Sequence, residues 1–148
     1  FRAQPEVKGG EIGIVASLSA HAPVPGLSVY AATKAAVLSL ATSLPSELRK
    51  DKVRVHAVCP DGVNTAMVDG MDTDGDVRAA LAAGVLFTPA QVAHELVEMF
   101  GTRRVYKTLP AWRGTLARSG SRIPSVFMYV DPLVRKIGAR RLRKAGIR

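Results

Sequence analysis

Tyr30 and Lys34 stand four residues apart, the spacing that sets two side chains on one face of a helix. A lysine ammonium beside a phenol favours the phenolate and draws its pKa toward working pH, as a group that gives and recovers a proton requires. Thirteen residues before Tyr30, Ser17 closes the short apolar run Glu11 to Ser17, EIGIVAS. A run of that kind reads as a buried strand, and the ends of strands are where α/β sheets place ligands. A lone Y-x-x-x-K also arises by chance, as a half-exposed aromatic over a helical turn. Here it comes with a strand-end serine, an alanine-rich helix, and a second strand closing at Pro60 with Thr65 five residues beyond.

The elements that must hold these residues follow from pattern. Residues 19–28 carry two prolines and a glycine and read as a loop; Val29 to Lys50 reads as a long helix that Pro45 must kink or break. Val53 to Val58 (VRVHAV) reads as a strand with β-branched residues at alternate positions. Asp61 to Gly84 is polar, with a short helix expected at Val77 to Ala83. Thr88 then caps a helix with Pro89 at its first position and Gly101 as its stop, and Val105 to Leu109 reads as a third strand. Alternating strands and helices imply an α/β fold, part of a doubly wound, Rossmann-like parallel sheet. Residues 1–110 form this unit, and residues 111–148 read as a basic extension of short helices broken by Gly120, Pro124 and Pro132.

Composition narrows the chemistry. The 148 residues suffice for one domain, and a single cysteine excludes an internal disulfide framework and a cysteine-based zinc cluster. Asp72, Asp74 and Asp76 alternate as calcium ligands do, but Val77 and Ala83 stand where an EF-hand loop needs glycine and glutamate, so a solvated loop is expected. Residues 1–101 carry 8 Lys/Arg against 11 Asp/Glu, a balance of −3, whereas residues 102–148 carry 13 against Asp131, a balance of +12. A basic tail raises nucleic acid or an anionic membrane as partner. The reading adopted is a docked helix with a solvated basic end, peripheral membrane contact being the alternative and no specific nucleic acid being expected. No stretch reaches the roughly 18 apolar residues of a spanning helix, and the first residues lack a signal-peptide core, so a cytoplasmic protein, membrane-associated at most through its tail, is expected.

Over Gly10 to Leu109 the sequence resembles the short-chain dehydrogenase/reductase family, through IVASLSA, VYAATKAAVLSLATSLPSEL, VRVHAVCPDGVNTAM and TPAQVAHELV. The resemblance implies NAD or NADP as cofactor, a small-molecule carbonyl/alcohol substrate, and Tyr30 as general acid/base. Lys34 would tune Tyr30 and hold the nicotinamide ribose, and Ser17, two residues ahead of the less well-placed Ser19, would polarise the substrate oxygen. Pro60, Val63 and Thr65 match the family segment that lies against the nicotinamide, with Asp61 where a glycine is usual. The resemblance further implies a variable flap bearing Met67, Val68 and Met71, and a homo-oligomer through the long helix. The family's glycine-rich phosphate turn has no counterpart, since Gly9, Gly10 and Gly13 precede or lie in a strand. The chain, beginning at Phe1, therefore reads as the C-terminal half of such an enzyme, binding dinucleotide weakly or not at all by itself; a non-catalytic fragment or scaffold is the alternative.

Overall fold

The computed structural model describes residues 1, 3, 9–22, 24, 26–65, 84–122 and 124–144. Three strands, β1 (Gly10–Val15), β2 (Val53–Pro60) and β5 (Tyr106–Leu109), form one sheet in the order β1-β2-β5. All pairing is parallel, from Gly10 opposite Val53 to Val15 opposite Val58, and from Ala57 opposite Tyr106 to Pro60 opposite Leu109. Parallel neighbours require crossovers. One is α1 (Ser28–Glu47), and the route from β2 to β5 includes α2 (Pro89–Val97). Two short strands, β3 (Gly62–Val63) and β4 (Leu86–Phe87), pair in parallel beside the main sheet.

The strand-helix alternation expected from the sequence is the one observed, and every residue of β2 except Arg54 is buried, because it is the central strand with a helix on each face. Three details differ. The helix α2 closes at Val97, short of the Gly101 expected as its stop. Pro45 lies in the last turn of α1, so the helix runs through it to Glu47; only the final turn bears the missing N–H. The tail has two helices, α3 (Ala111–Ser121) and α4 (Pro124–Lys144). Gly120 lies inside α3, Pro124 opens α4 where its missing N–H costs nothing, and Pro132 sits within α4.

Two apolar layers hold the sheet. Leu38 and Ala41 of α1 pack on Ala16, Val55, Ala57 and Cys59, whereas Val92 and Met99 pack on Val58 and Leu109 from the other side. The N-terminus of α2 is fixed by a capping box: the Gln91 N–H donates to Thr88 Oγ1 at 3.2 Å and the Thr88 N–H to Gln91 Oε1 at 2.8 Å. On the last strand α3 docks through Gly114, where a β-carbon would overlap the Thr108 side chain.

At the N-terminal end of the sheet Glu11 ties three segments together. Its carboxylate pairs with Arg54, accepts from the Gly101 N–H at 3.1 Å, and lies 2.8 Å from Nε2 of the fully buried His56. The other ring nitrogen of His56 lies 2.7 Å from the Arg104 carbonyl. Burial pushes the Glu11 carboxyl up, but hydrogen bonds from Arg54, Gly101 and His56 and the charge of Arg54 outweigh it and hold the group below its ordinary 4.5. A carboxyl whose folded pKa is depressed adds stability above its unfolded value, and that stability is lost as pH falls through the folded value. Glu11→Gln should therefore lower the urea midpoint at pH 7 and bring variant and parent together as pH drops below about 4.5, measured by urea unfolding from pH 3 to 7.

Candidate active site

The parallel register decides where the candidate residues meet. Val15 is opposite Val58 and the Ala16 N–H donates to the Val58 carbonyl at 2.8 Å, so Ser17 leaves β1 at the level where β2 closes on Pro60. Ser17 is buried and caps the single 3-10 turn Leu18–Ala20. Its Oγ accepts from the Ser19 N–H at 3.2 Å and from the Ser19 hydroxyl at 2.9 Å. Among the described residues nothing accepts the Ser17 hydrogen, which leaves that hydroxyl with a proton to offer. Ser19, the competing serine of the sequence, thus acts as a donor to Ser17.

Because α1 returns from the C-terminal end of β1, its first turns lie at the same edge. Tyr30 is in the first turn and Lys34 one turn later. The Lys34 ammonium sits 5.8 Å from the centroid of the Tyr30 ring and donates to the Val15 carbonyl at 3.2 Å, two residues before Ser17. An ammonium has three donors, so two remain free to meet another group. The structure thus joins Lys34 to Tyr30 directly and to the strand carrying Ser17 through a backbone carbonyl.

Behind the serine, the Ser17 N–H bonds to the Cys59 thiol. Burial, against that bond and the Arg118 charge, pushes the thiol up to about 11. Cys59 is therefore a packed apolar group with its proton in place. The His21 ring lies 5.6 Å from that of Tyr106, and burial followed by the Arg118 charge lowers its pKa.

The segment after β2 is held by a residue that the sequence marked only as a departure. Asp61 accepts from the Val85 N–H at 2.8 Å and pairs with Arg113 of α3 at 3.0 Å. It pins β4 and α3 to the end of β2, and burial raises its carboxyl pKa against the Val85 N–H, Arg113 and the Gly62 N–H. No spacing in the sequence links Asp61 with Arg113, which is why this support went unread. Pro60 is buried, Val63 packs on the cluster of Val58 and Val92, and Thr65 Oγ1 stands 3.5 Å from the Val63 carbonyl. Met67, Val68, Met71, the three alternating aspartates and the helix expected at Val77 to Ala83 lie outside the described residues. Among the described residues no cluster of metal-ligating side chains occurs, and no helix is long and apolar enough to cross a membrane.

The short-chain dehydrogenase family matches residues 2–75, half of the chain. The chain belongs to the short-chain dehydrogenase family. A 3-oxoacyl-(acyl-carrier-protein) reductase of Aggregatibacter actinomycetemcomitans is 30% identical over 101 residues, 68% of this chain and 42% of that protein. Among solved structures, a 3-ketoacyl-(acyl-carrier-protein) reductase from Brucella melitensis complexed with NADH is 29% identical, with a TM-score of 0.53 over 66% of this chain and 41% of that one. A short-chain dehydrogenase from Streptomyces avermitilis shares the fold, with a TM-score of 0.58 over 81% of this chain and 48% of its own at 21% identity. The dehydrogenase chain described here thus spans about two fifths of the length of its curated relatives.

Donors that the chain does not itself use remain on Ser17 and Lys34 at the edge where Pro60 closes β2. The glycines do not make a phosphate cradle: a β-carbon on Gly9 would strike the Lys52 carbonyl, one on Gly10 the Phe1 ring, and one on Gly13 the Leu96 side chain. They are packing positions at the start of β1. The turn that carries Pro60 to Thr65 depends on Asp61. Asp61→Ala leaves the Val85 N–H without its acceptor and removes the ion pair to Arg113, and should cost about 1–3 kcal/mol, with Asp61→Asn costing less because its amide oxygen still accepts from Val85; urea unfolding measures both.

Proposed function

We propose that the natural gene product containing this chain transfers a hydride between NAD or NADP and a small-molecule carbonyl/alcohol substrate. The observation that carries the reading is the position of Lys34, 5.8 Å over the Tyr30 ring and anchored to the carbonyl of Val15 beside Ser17. When bound, the nicotinamide supplies the hydride, and the work of the chain is placement and charge. In the reducing direction Tyr30 gives its hydroxyl proton to the carbonyl oxygen, and in the oxidising direction it takes the proton back. Ser17, its Oγ fixed by two bonds from Ser19, donates its free hydrogen to the same oxygen and stabilises the negative charge that builds there. Lys34 keeps a positive charge beside the phenol and uses its two remaining donors on the ribose hydroxyls. Pro60, Val63 and Thr65 lie against the carboxamide.

Residues 1–110 act in this reading as half of a Rossmann-like domain and residues 111–148 as its basic helical extension. The long helix α1 leaves Val29 and Leu40 exposed, which supports a homo-oligomer formed through it. Tyr129, Leu133 and Ile137 of α4 are exposed at helical spacing, one residue out of step with Lys136, Arg140 and Lys144. That stripe favours a second role for the tail, contact with an anionic membrane surface by a protein otherwise in the cytoplasm.

Tyr30→Phe removes one hydroxyl and leaves the ring over Lys34. In the natural gene product it should lower kcat about 10²–10⁴-fold with the fold intact by circular dichroism. Turnover close to the parental rate would remove Tyr30 from the reaction.

A further inference from the structure

A cleft of about 340 Å³ opens at the N-terminal end of the sheet, within the roughly 300–1,000 Å³ range of small-molecule sites. Arg49, Lys52 and Arg54 line it from the α1–β2 side, and Arg103 and Arg104 from the turn before β5, with His56 at its floor. No acidic side chain lines it among the described residues. Glu11 neutralises Arg54 and Asp51 lines a separate hollow, but the side chains of Arg49, Lys52, Arg103 and Arg104 have no acidic partner among the described residues. Four unpaired cations around one concavity repel one another, and a multivalent anion removes that repulsion. Guanidinium forks match phosphoryl oxygens in paired hydrogen bonds, so the chemistry best suited is a phosphate ester or diphosphate.

We infer that this cleft is a binding site for a phosphorylated ligand, separate from the site of Ser17, Tyr30 and Lys34. The cleft reaches His56, and the last four residues of β2, Ala57 to Pro60, separate it from that site, about 13 Å at the rise of a parallel strand. The inference therefore stands or falls independently of the proposed catalysis. The cations come from two segments far apart in sequence, which only the pairing of β2 with β5 brings together. That origin separates the cleft from the basic tail, whose charges follow one another along α4.

The test is calorimetric titration of inorganic pyrophosphate into the 148-residue chain at 150 mM salt. The double variant Arg103→Gln/Arg104→Gln should weaken binding about tenfold or more, since each lost charge-assisted contact is among the stronger hydrogen bonds. Arg49→Gln, on the other segment, should weaken it in the same direction. Arg140→Gln/Lys144→Gln removes the same charge from exposed positions of α4 and should leave the affinity within about twofold. Circular dichroism verifies that the variants fold; the Arg104 carbonyl that meets His56 belongs to the backbone and is kept. No binding by the parent, or equal loss in the cleft and α4 variants, overturns the inference and leaves only general attraction to a basic chain. Phosphatidylcholine vesicles containing phosphatidic acid distinguish the source. Co-sedimentation sensitive to the cleft pair assigns the phosphoryl group to a lipid headgroup, and co-sedimentation insensitive to it assigns a soluble phosphate.

Discussion

The parallel pairing of β1 with β2 is the constraint on which the rest depends. Two strands that run the same way cannot be joined by a turn, so the chain must leave the C-terminal end of β1, cross one face as α1, and re-enter at the N-terminal end of β2. The start of α1 is thereby forced to the edge where both strands end. Tyr30 and Lys34, in its first two turns, are thereby brought to that edge, and Lys34 bonds the strand end that leads to Ser17. The bond from Lys34 to the Val15 carbonyl records this: it spans 19 residues of sequence and joins the helix start to the strand end.

The sheet consequently has two chemically different ends. At one, the side chains of Ser17, just past β1, and Lys34 of α1 keep unused hydrogens, and Asp61 braces the following turn against β4 and α3. At the other, Glu11 gathers Arg54, His56 and the Gly101 N–H, while the remaining cations stand around an open cleft. The buried strand β2 is the rigid spacer between them, packed from both faces by α1 and α2.

Much of this was legible in the residues because it is local. The Tyr30–Lys34 spacing, the strand-end Ser17 and the Thr88-Pro89 start each act within a few residues, and the elements begin where those signals put them, whereas α2 closes at Val97, before the Gly101 stop. The burial of β2 on both faces is a tertiary effect that a single strand does not display. The tail was misread for a related reason. Pro124 at a helix start and Pro132 within α4 look alike in sequence, and the helix tolerates the second. Asp61 with Arg113, and Arg49 with Arg103, are pairings of distant segments and leave no trace in spacing.

The central claim is that the edge formed by the ends of β1 and β2 and the start of α1 receives the nicotinamide half of a dinucleotide. Reduced nicotinamide riboside, which carries no phosphate to engage the basic cleft, tests it most directly when titrated into the ¹⁵N-labelled natural gene product. The account predicts amide shifts confined to the surroundings of Ser17, Tyr30, Lys34 and Pro60 to Thr65. Shifts centred on the Arg103–Arg104 end of the sheet, or none up to the solubility of the ligand, would contradict it.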